Sequence, residues 1–379
     1  MAKVFACGDV VNYRNTDGIV CSAELQKVIE SADYAVCNFE APIKGHGTPR
    51  PKSGPHHSQQ GRTLEGLKKQ GFDLVLLANN HMLDYGADGL VATRDAAKAA
   101  GLDTVGAGLS KSEAYEPLIK DIEGLKVGII NACEAQFGVL DYFEREDCAG
   151  YAWLNHARVD KNIIKLKEQC DFVLLFAHAG LENFDIPQKE WRERYKHFCD
   201  LGVDVVVGAH PHVPQGWERY NSSLIFYSLG NFYFDGGRWA DKESQSFAVM
   251  LDLKKGEVPL FTPIFHFTEK QKVTIAPDSK RVDITSLCEM LGSSYQQKHD
   301  EMTTTAFLGV KTNLVRALSP IPVGHSFKST IKEILATLLG RRRGVSKELL
   351  SLHMLRNEAY YYVARHALEL QARKKHTDE

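Results

Sequence analysis

The sequence has no run approaching the roughly 18 apolar residues of a membrane-crossing helix, so no integral membrane segment is expected. Its eight cysteines contain no Cys-x-x-Cys pair. Several sit in or beside apolar strand patterns, and they read as small reduced core residues suited to a reducing cytoplasm. The start, Met1 to Asp9, runs straight into a strand pattern without the longer apolar stretch and small-residue cleavage site of a secretory signal. A cytoplasmic location is the expectation. Net charge is scarce too, at -2 over 379 residues, which gives no overall pull toward nucleic acid or an anionic membrane. The Arg341-Arg342-Arg343 run and the Arg373-Lys374-Lys375-His376 tail lack the interleaved aromatics of a base-stacking platform, so nucleic acid is not an expected partner.

What is present suits a folded chain with a sizeable core: 44% hydrophobic and 25% charged residues. From residue 1 to about residue 270, strand and helix patterns alternate, which argues a layered α/β domain. Helices are predicted at Ala23 to Ser31, Asp88 to Ala100, Asp160 to Gln169 and Gln188 to Leu201. Polar residues 41–63 and the aromatic stretch 134–158 form two long insertions. From Asp283 the character changes, and helices are predicted at Ile284 to Leu291, Thr330 to Leu339 and Ser346 to Leu370. Two domains are expected, 1–282 and 283–379.

Five apolar runs end on metal-type ligands. They deliver Asp9, then Glu40, then Asn79-Asn80-His81, then His178, then His210 and His212. In α/β sheets the carboxyl ends of strands open into the crevice where ligands bind. Mixed carboxylate, amide and imidazole donors suit Zn, Mn or Fe ions, one or two of them. In His210-Pro211-His212, an extended segment would point both imidazoles one way. Taken singly, each residue has a plainer explanation: a cap at Asp9, a loop carboxylate at Glu40, turn residues at Asn79-Asn80-His81. Their recurrence at five strand ends is what argues for a site.

The strings Gly8-Asp9-Val10, Asn38-Phe39-Glu40-Ala41-Pro42, Ala78-Asn79-Asn80-His81 with Asp84-Tyr85-Gly86, and His178-Ala179-Gly180 resemble the bacterial capsule synthesis protein CapA family. So do Gly202 to Val213, Tyr227 to Phe232, and Asp235. That family, associated with poly-γ-glutamate production, is a branch of the calcineurin-like metallophosphoesterases. The resemblance covers roughly residues 1–250. It implies a layered α/β/β/α sandwich, to which the helical pattern after Asp283 adds a C-terminal helical appendage. It implies one ion at Asp9 and His212, another at Asn80, His178 and His210, Glu40 as the bridge, and His81 as the acid/base histidine. Two positions depart from the phosphoesterase pattern: Val11 stands where it has histidine, and Glu40 where it has aspartate.

Around this set, the cationic loop after Glu40 suits an anionic substrate, and its Pro49-Arg50-Pro51-Lys52 stretch, similar to the family's, makes Lys52 the candidate contact. Asn231 is a candidate for contacting substrate or a ligand histidine, and Asp84 and Asp204 are candidates for supporting hydrogen bonds. Three functions are expected to compete. The first is a metal-dependent hydrolase cleaving a phosphoester of a small molecule or polymer precursor in capsule assembly. The second is γ-glutamyl amide hydrolysis or transfer. The third is a non-catalytic, metal-stabilised assembly subunit acting with other polymer-biosynthesis proteins.

Overall fold

The computed structural model describes residues 1–236, 244–269, 271–319, 321–324, 326–339 and 346–377. The Arg341-Arg342-Arg343 run and the side chains of Lys375 and His376 lie outside the described residues. The chain is mixed α/β with two main sheets. In the first, strands run in the spatial order Lys272–Ile275, Leu260–Glu269, Ser244–Leu253, Ala2–Val11, Tyr34–Phe39, Leu74–Leu76 and Asp103–Val105, and Asn231–Phe234 also pairs with Ala2–Val11. In the second the order is Trp217–Tyr220, Ser223–Phe226, Val205–Ala209, Phe172–His178, Leu125–Cys133 and Leu118–Ile122. The four strands from Ala2–Val11 to Asp103–Val105 are parallel, as are Leu125–Cys133, Phe172–His178, Val205–Ala209 and Ser223–Phe226.

Side-chain alternation explains the layering. A strand sends successive side chains to opposite faces, so a strand covered on both faces is apolar throughout. Ala2, Val4 and Ala6 join Val36, Leu76, Ile129, Leu174, Val205 and Phe226 in a core between the sheets. Phe5 and Cys7 face the other way, into a core completed by Leu25, Ile29, Leu64, Leu67 and Leu90 from the helices Ala23–Glu30, Arg62–Lys69 and Gly86–Ala99. Helices Ala157–Gln169 and Lys189–Leu201 pack on the second sheet. The result is helix, sheet, sheet, helix.

The chain divides into two compact units. One comprises Met1–Arg50 and His56–Ser293; the other comprises Pro51–Pro55 and Ser294–Glu379. Within the second unit, helix Tyr295–Leu318 packs against helices Lys347–Arg356 and Glu358–Thr377. The single helix expected over Ser346 to Leu370 is thus two. Asn357 ends the first with its backbone N–H on the His353 carbonyl, and its side-chain oxygen accepts from the Tyr360 N–H to start the second.

Candidate metal centre

Local backbone features aim the ligand-type side chains. The pairing register of Ala2–Val11 shifts beside Asp9 on both flanks, so Asp9 lies inside the strand where the sequence had the strand ending at Gly8. Gly8 permits this because a Cβ there would sit 1.8 Å from the Gly230 carbonyl oxygen. That oxygen accepts from the Asp9 N–H at 3.3 Å, and Asn231 pairs in register with Asp9. Glu40 immediately follows strand Tyr34–Phe39, and Ala41 behind it has φ 140°. His178 is the last residue of its strand, and His210 is the first beyond the neighbouring one.

The His210-Pro211-His212 turn departs from the expected extended segment. His210 has φ 94° and His212 φ 63°, values that non-glycine residues seldom adopt and that cost of order 1–3 kcal/mol each. The left-handed backbone, rather than strand alternation, brings the two rings to 6.0 Å between centroids.

Six candidate ligands converge. His178 Nε2 lies 3.0 Å from Asn80 Oδ1, 3.1 Å from His210 Nδ1 and 3.6 Å from Glu40 Oε1. His212 Nδ1 lies 3.5 Å from Asp9 Oδ2 and 4.0 Å from Glu40 Oε2. Two groups emerge, Glu40/His178/His210 and Asp9/Glu40/His212, each with its ligand atoms within 4.8 Å of one another. Glu40 is common to both.

Burial sets the electrostatics. It raises the Glu40 carboxyl well above its ordinary range, and the neighbouring Asp9 charge raises it further. Burial also opposes ionisation of Asp9, but the hydrogen bond with His212, the charges of His178 and His212 and the Asn38 hydrogen bond together outweigh it and hold Asp9 below the usual carboxylate range. Burial drives His178 well down and takes His210 to about 4. For His212 burial is overcome by the Glu40 charge and the Asp9 hydrogen bond, which lift it to about 10. His178 and His210 are therefore neutral, the form a metal ligand requires, whereas His212 carries a proton that a bound ion would have to displace.

The donor set fits a divalent cation. Glu40 Oε2 is buried without a hydrogen-bond partner, an expensive state that a cation relieves. Val11, fully buried and apolar, contributes no ligand.

His81 lies beside this cluster. Its Nδ1 is 2.7 Å from Asp84 Oδ2, and the same oxygen accepts from the His57 N–H at 2.7 Å. The His57 ring meets His81 edge-on at 4.1 Å between centroids, and the Tyr13 hydroxyl hydrogen-bonds His57 Nδ1. Asn79 fixes the turn that carries His81, its Nδ2 donating to the Phe39 carbonyl at 2.9 Å.

The remaining candidates divide. Asn231 is buried with Oδ1 2.9 Å from His212 Nδ1, so it touches a ligand-type histidine. Asp204 accepts from the Val173 N–H at 2.7 Å and from Lys167 Nζ at 2.8 Å, a strand-start contact apart from the ligand cluster. Lys52 belongs to Pro51–Pro55 in the second unit.

Sequence reasoning passed over Asn38, Glu134 and Gln136. Asn38 Nδ2 donates to Asp9 Oδ1 at 2.7 Å and lies 3.1 Å from His178 Nδ1. A polar residue inside the apolar run Tyr34–Phe39 was its signal. Glu134 directly follows strand Leu125–Cys133, a carboxylate at a sixth strand end, hidden because residues 134–158 read as an insertion.

Residues 3–236 match the family described as bacterial capsule synthesis protein PGA_cap. The chain belongs to this family. Among PGA_cap relatives, capsule biosynthesis protein CapA of Bacillus anthracis is 32% identical over 243 residues, covering 62% of this chain and 58% of that protein. PGA biosynthesis protein CapA of Bacillus subtilis (strain 168) is 30% identical over 244 residues, covering 63% of each. The chain thus spans less than two thirds of the length of these curated relatives. Among solved structures, 5'-nucleotidase from Candida albicans SC5314 aligns at TM-score 0.42 and 10% identity, covering 82% of this chain and 59% of that one. A hypothetical protein from Thermus thermophilus aligns at TM-score 0.46 and 18% identity, covering 69% of this chain and 98% of that one. Neither adds to the architecture described above.

Proposed function

We propose that this PGA_cap-family protein is a divalent-metal-dependent hydrolase that cleaves a phosphoester of an anionic precursor in capsule or poly-γ-glutamate synthesis. The observation that carries the reading is the pair of buried ligand groups sharing Glu40. Asn80, Glu40, His178 and His210 would hold one ion, and Asp9, Glu40 and His212 the other, with Mn, Zn or Fe as candidates. Bound there, a divalent ion supplies Lewis-acid charge to a phosphoryl oxygen and lowers the pKa of water.

The chain's own residues supply orientation and a proton. Asp84 takes the Nδ1 side of His81, which fixes the ring and leaves Nε2 as the nitrogen that protonates a departing alkoxide. Asn231 and Asn38 restrain His212 and Asp9 in the same manner. The eight free cysteines support placing the protein in a reducing compartment. Among the described residues no helix is long and apolar enough to cross a membrane. Proteins of the same polymer pathway are its proposed partners.

The test is a side-by-side assay of an aryl phosphate ester and a γ-glutamyl peptide, each with added Mn²⁺ or Zn²⁺. Phosphoester cleavage that depends on His81 and His210 supports the proposal. Cleavage of the peptide alone would move the chemistry to the amide bond. Turnover of neither, with normal polymer production by variants lacking the ligands, would favour a non-catalytic assembly role.

A further inference from the structure

Glu134 is wholly buried, and the proposed chemistry leaves it without a task. Its contacts nevertheless run to three ligand-bearing segments. Oε2 accepts from the Gly180 N–H at 3.0 Å, two residues past His178, and the Glu134 N–H donates to the His178 carbonyl at 3.0 Å. Oε1 accepts from Gln136 Nε2 at 2.8 Å and lies 3.7 Å from His210 Nε2. Gln136 then reaches the third segment, its Oε1 accepting from Asn80 Nδ2 at 3.4 Å.

The two nitrogens of His210 face different surroundings. Nδ1 points toward His178 Nε2 at 3.1 Å, on the ligand side. Nε2 faces Gln136 Nε2 at 3.5 Å and Glu134 Oε1 at 3.7 Å. A neutral imidazole carries one proton, so Nδ1 offers a lone pair only if Nε2 holds that proton. The negative charge of Glu134 favours that tautomer, and Glu134 Oε1 also takes an N–H of the Gln136 amide that faces the same nitrogen. The same logic applies to Asn80: its Nδ2 is engaged by Gln136, which turns Oδ1 toward His178 Nε2 at 3.0 Å.

We propose that Glu134, with Gln136, is a positioning residue that fixes the His210 tautomer and the Asn80 amide, so that Nδ1 and Oδ1 face a divalent cation. This rests on the metal-centre reading given above. The effect is selective, because Asp9 and His212 are oriented by other groups, Asn38 and Asn231. Outer-sphere partners of metal ligands typically contribute about 10–100-fold in affinity.

The experiment titrates the full chain with Mn²⁺, followed by calorimetry, and identifies the His210-dependent site as the one lost in His210→Ala. Glu134→Gln places an N–H₂ or an amide oxygen where the carboxylate stood, and should weaken Mn²⁺ at that site by about 10–100-fold while any site retained in His210→Ala is unchanged. Glu134→Asp, which keeps a carboxylate one carbon shorter, should recover part of the loss. In metal-free protein, imidazole ¹⁵N shifts should report the Nε2–H tautomer at His210 in the wild type and a shift away from it in Glu134→Gln. Wild-type Mn²⁺ affinity in a folded Glu134→Gln variant would overturn the proposal, as would equal loss at every site. Should the wild type bind no Mn²⁺, the metal-centre reading itself falls, and the ¹⁵N tautomer still reports separately whether Glu134 holds the ring.

Discussion

His266 offers a quantitative check on the packing behind the site. It lies in strand Leu260–Glu269 at 1% exposure, opposite Ser246, with its ring edge-on to Phe232 at 5.0 Å. Neither ring nitrogen has a hydrogen-bond partner among the described residues, and burial pushes its pKa down to about 3 from an ordinary 6.5. Leucine is close to histidine in volume and removes the unsatisfied N–H, so His266→Leu should raise stability by about 1–2 kcal/mol at pH 7. The pH dependence is the sharper test. Because the folded-state pKa is depressed, this histidine's contribution is fully present above pH 6.5 and is lost as pH falls toward 3, where the unfolded chain binds a proton that the folded chain refuses. Between pH 7 and pH 5 the loss amounts to about 2 kcal/mol. Urea unfolding of both proteins at the two pH values measures it. The gap between variant and wild type should widen by that amount at pH 5. A gap independent of pH would refute the claim that His266 is buried neutral and unpartnered.

Gly8→Ala places a methyl 1.8 Å from the Gly230 carbonyl, so the strand around Asp9 must move. A loss of about 1–3 kcal/mol or more in urea unfolding is expected, together with weaker metal binding. His81→Ala should keep the metal content of the wild type while lowering kcat on an aryl phosphate by about 10²- to 10⁴-fold, read by steady-state kinetics. Adding Mn²⁺ to metal-free protein at about 100 times its Kd should raise unfolding stability by about 2.7 kcal/mol, and Glu40→Gln should abolish most of that gain.

The ligand groups were legible because the site depends on strand ends. Apolar runs are readable by composition, and the residue after each run inherits the crevice. That rule pointed to Asp9, Glu40, Asn79-Asn80-His81, His178, His210 and His212, the family resemblance singled out Asn80 within its triplet, and the six ligand candidates converge. Where sequence and structure part, the cause lies in backbone detail. The left-handed conformations at His210 and His212 are enforced by tertiary contacts and leave no local signature in non-glycine residues. Helix Tyr295–Leu318 went unread because its buried face includes His299 and Thr303 among Met302, Ala306, Phe307 and Val310, which breaks the apolar period. Glu134 was missed although it obeys the strand-end rule, since the aromatic stretch after it drew the boundary too early.

The most direct test is the metal content of protein produced in medium supplemented with Mn, Zn and Fe and purified without chelators, measured by inductively coupled plasma mass spectrometry. The account predicts one or two divalent ions per chain in the wild type, with marked loss in Glu40→Gln, where the carboxylate common to both groups becomes an amide. A metal-free wild type, or a Glu40→Gln variant that keeps the full wild-type content, would contradict it.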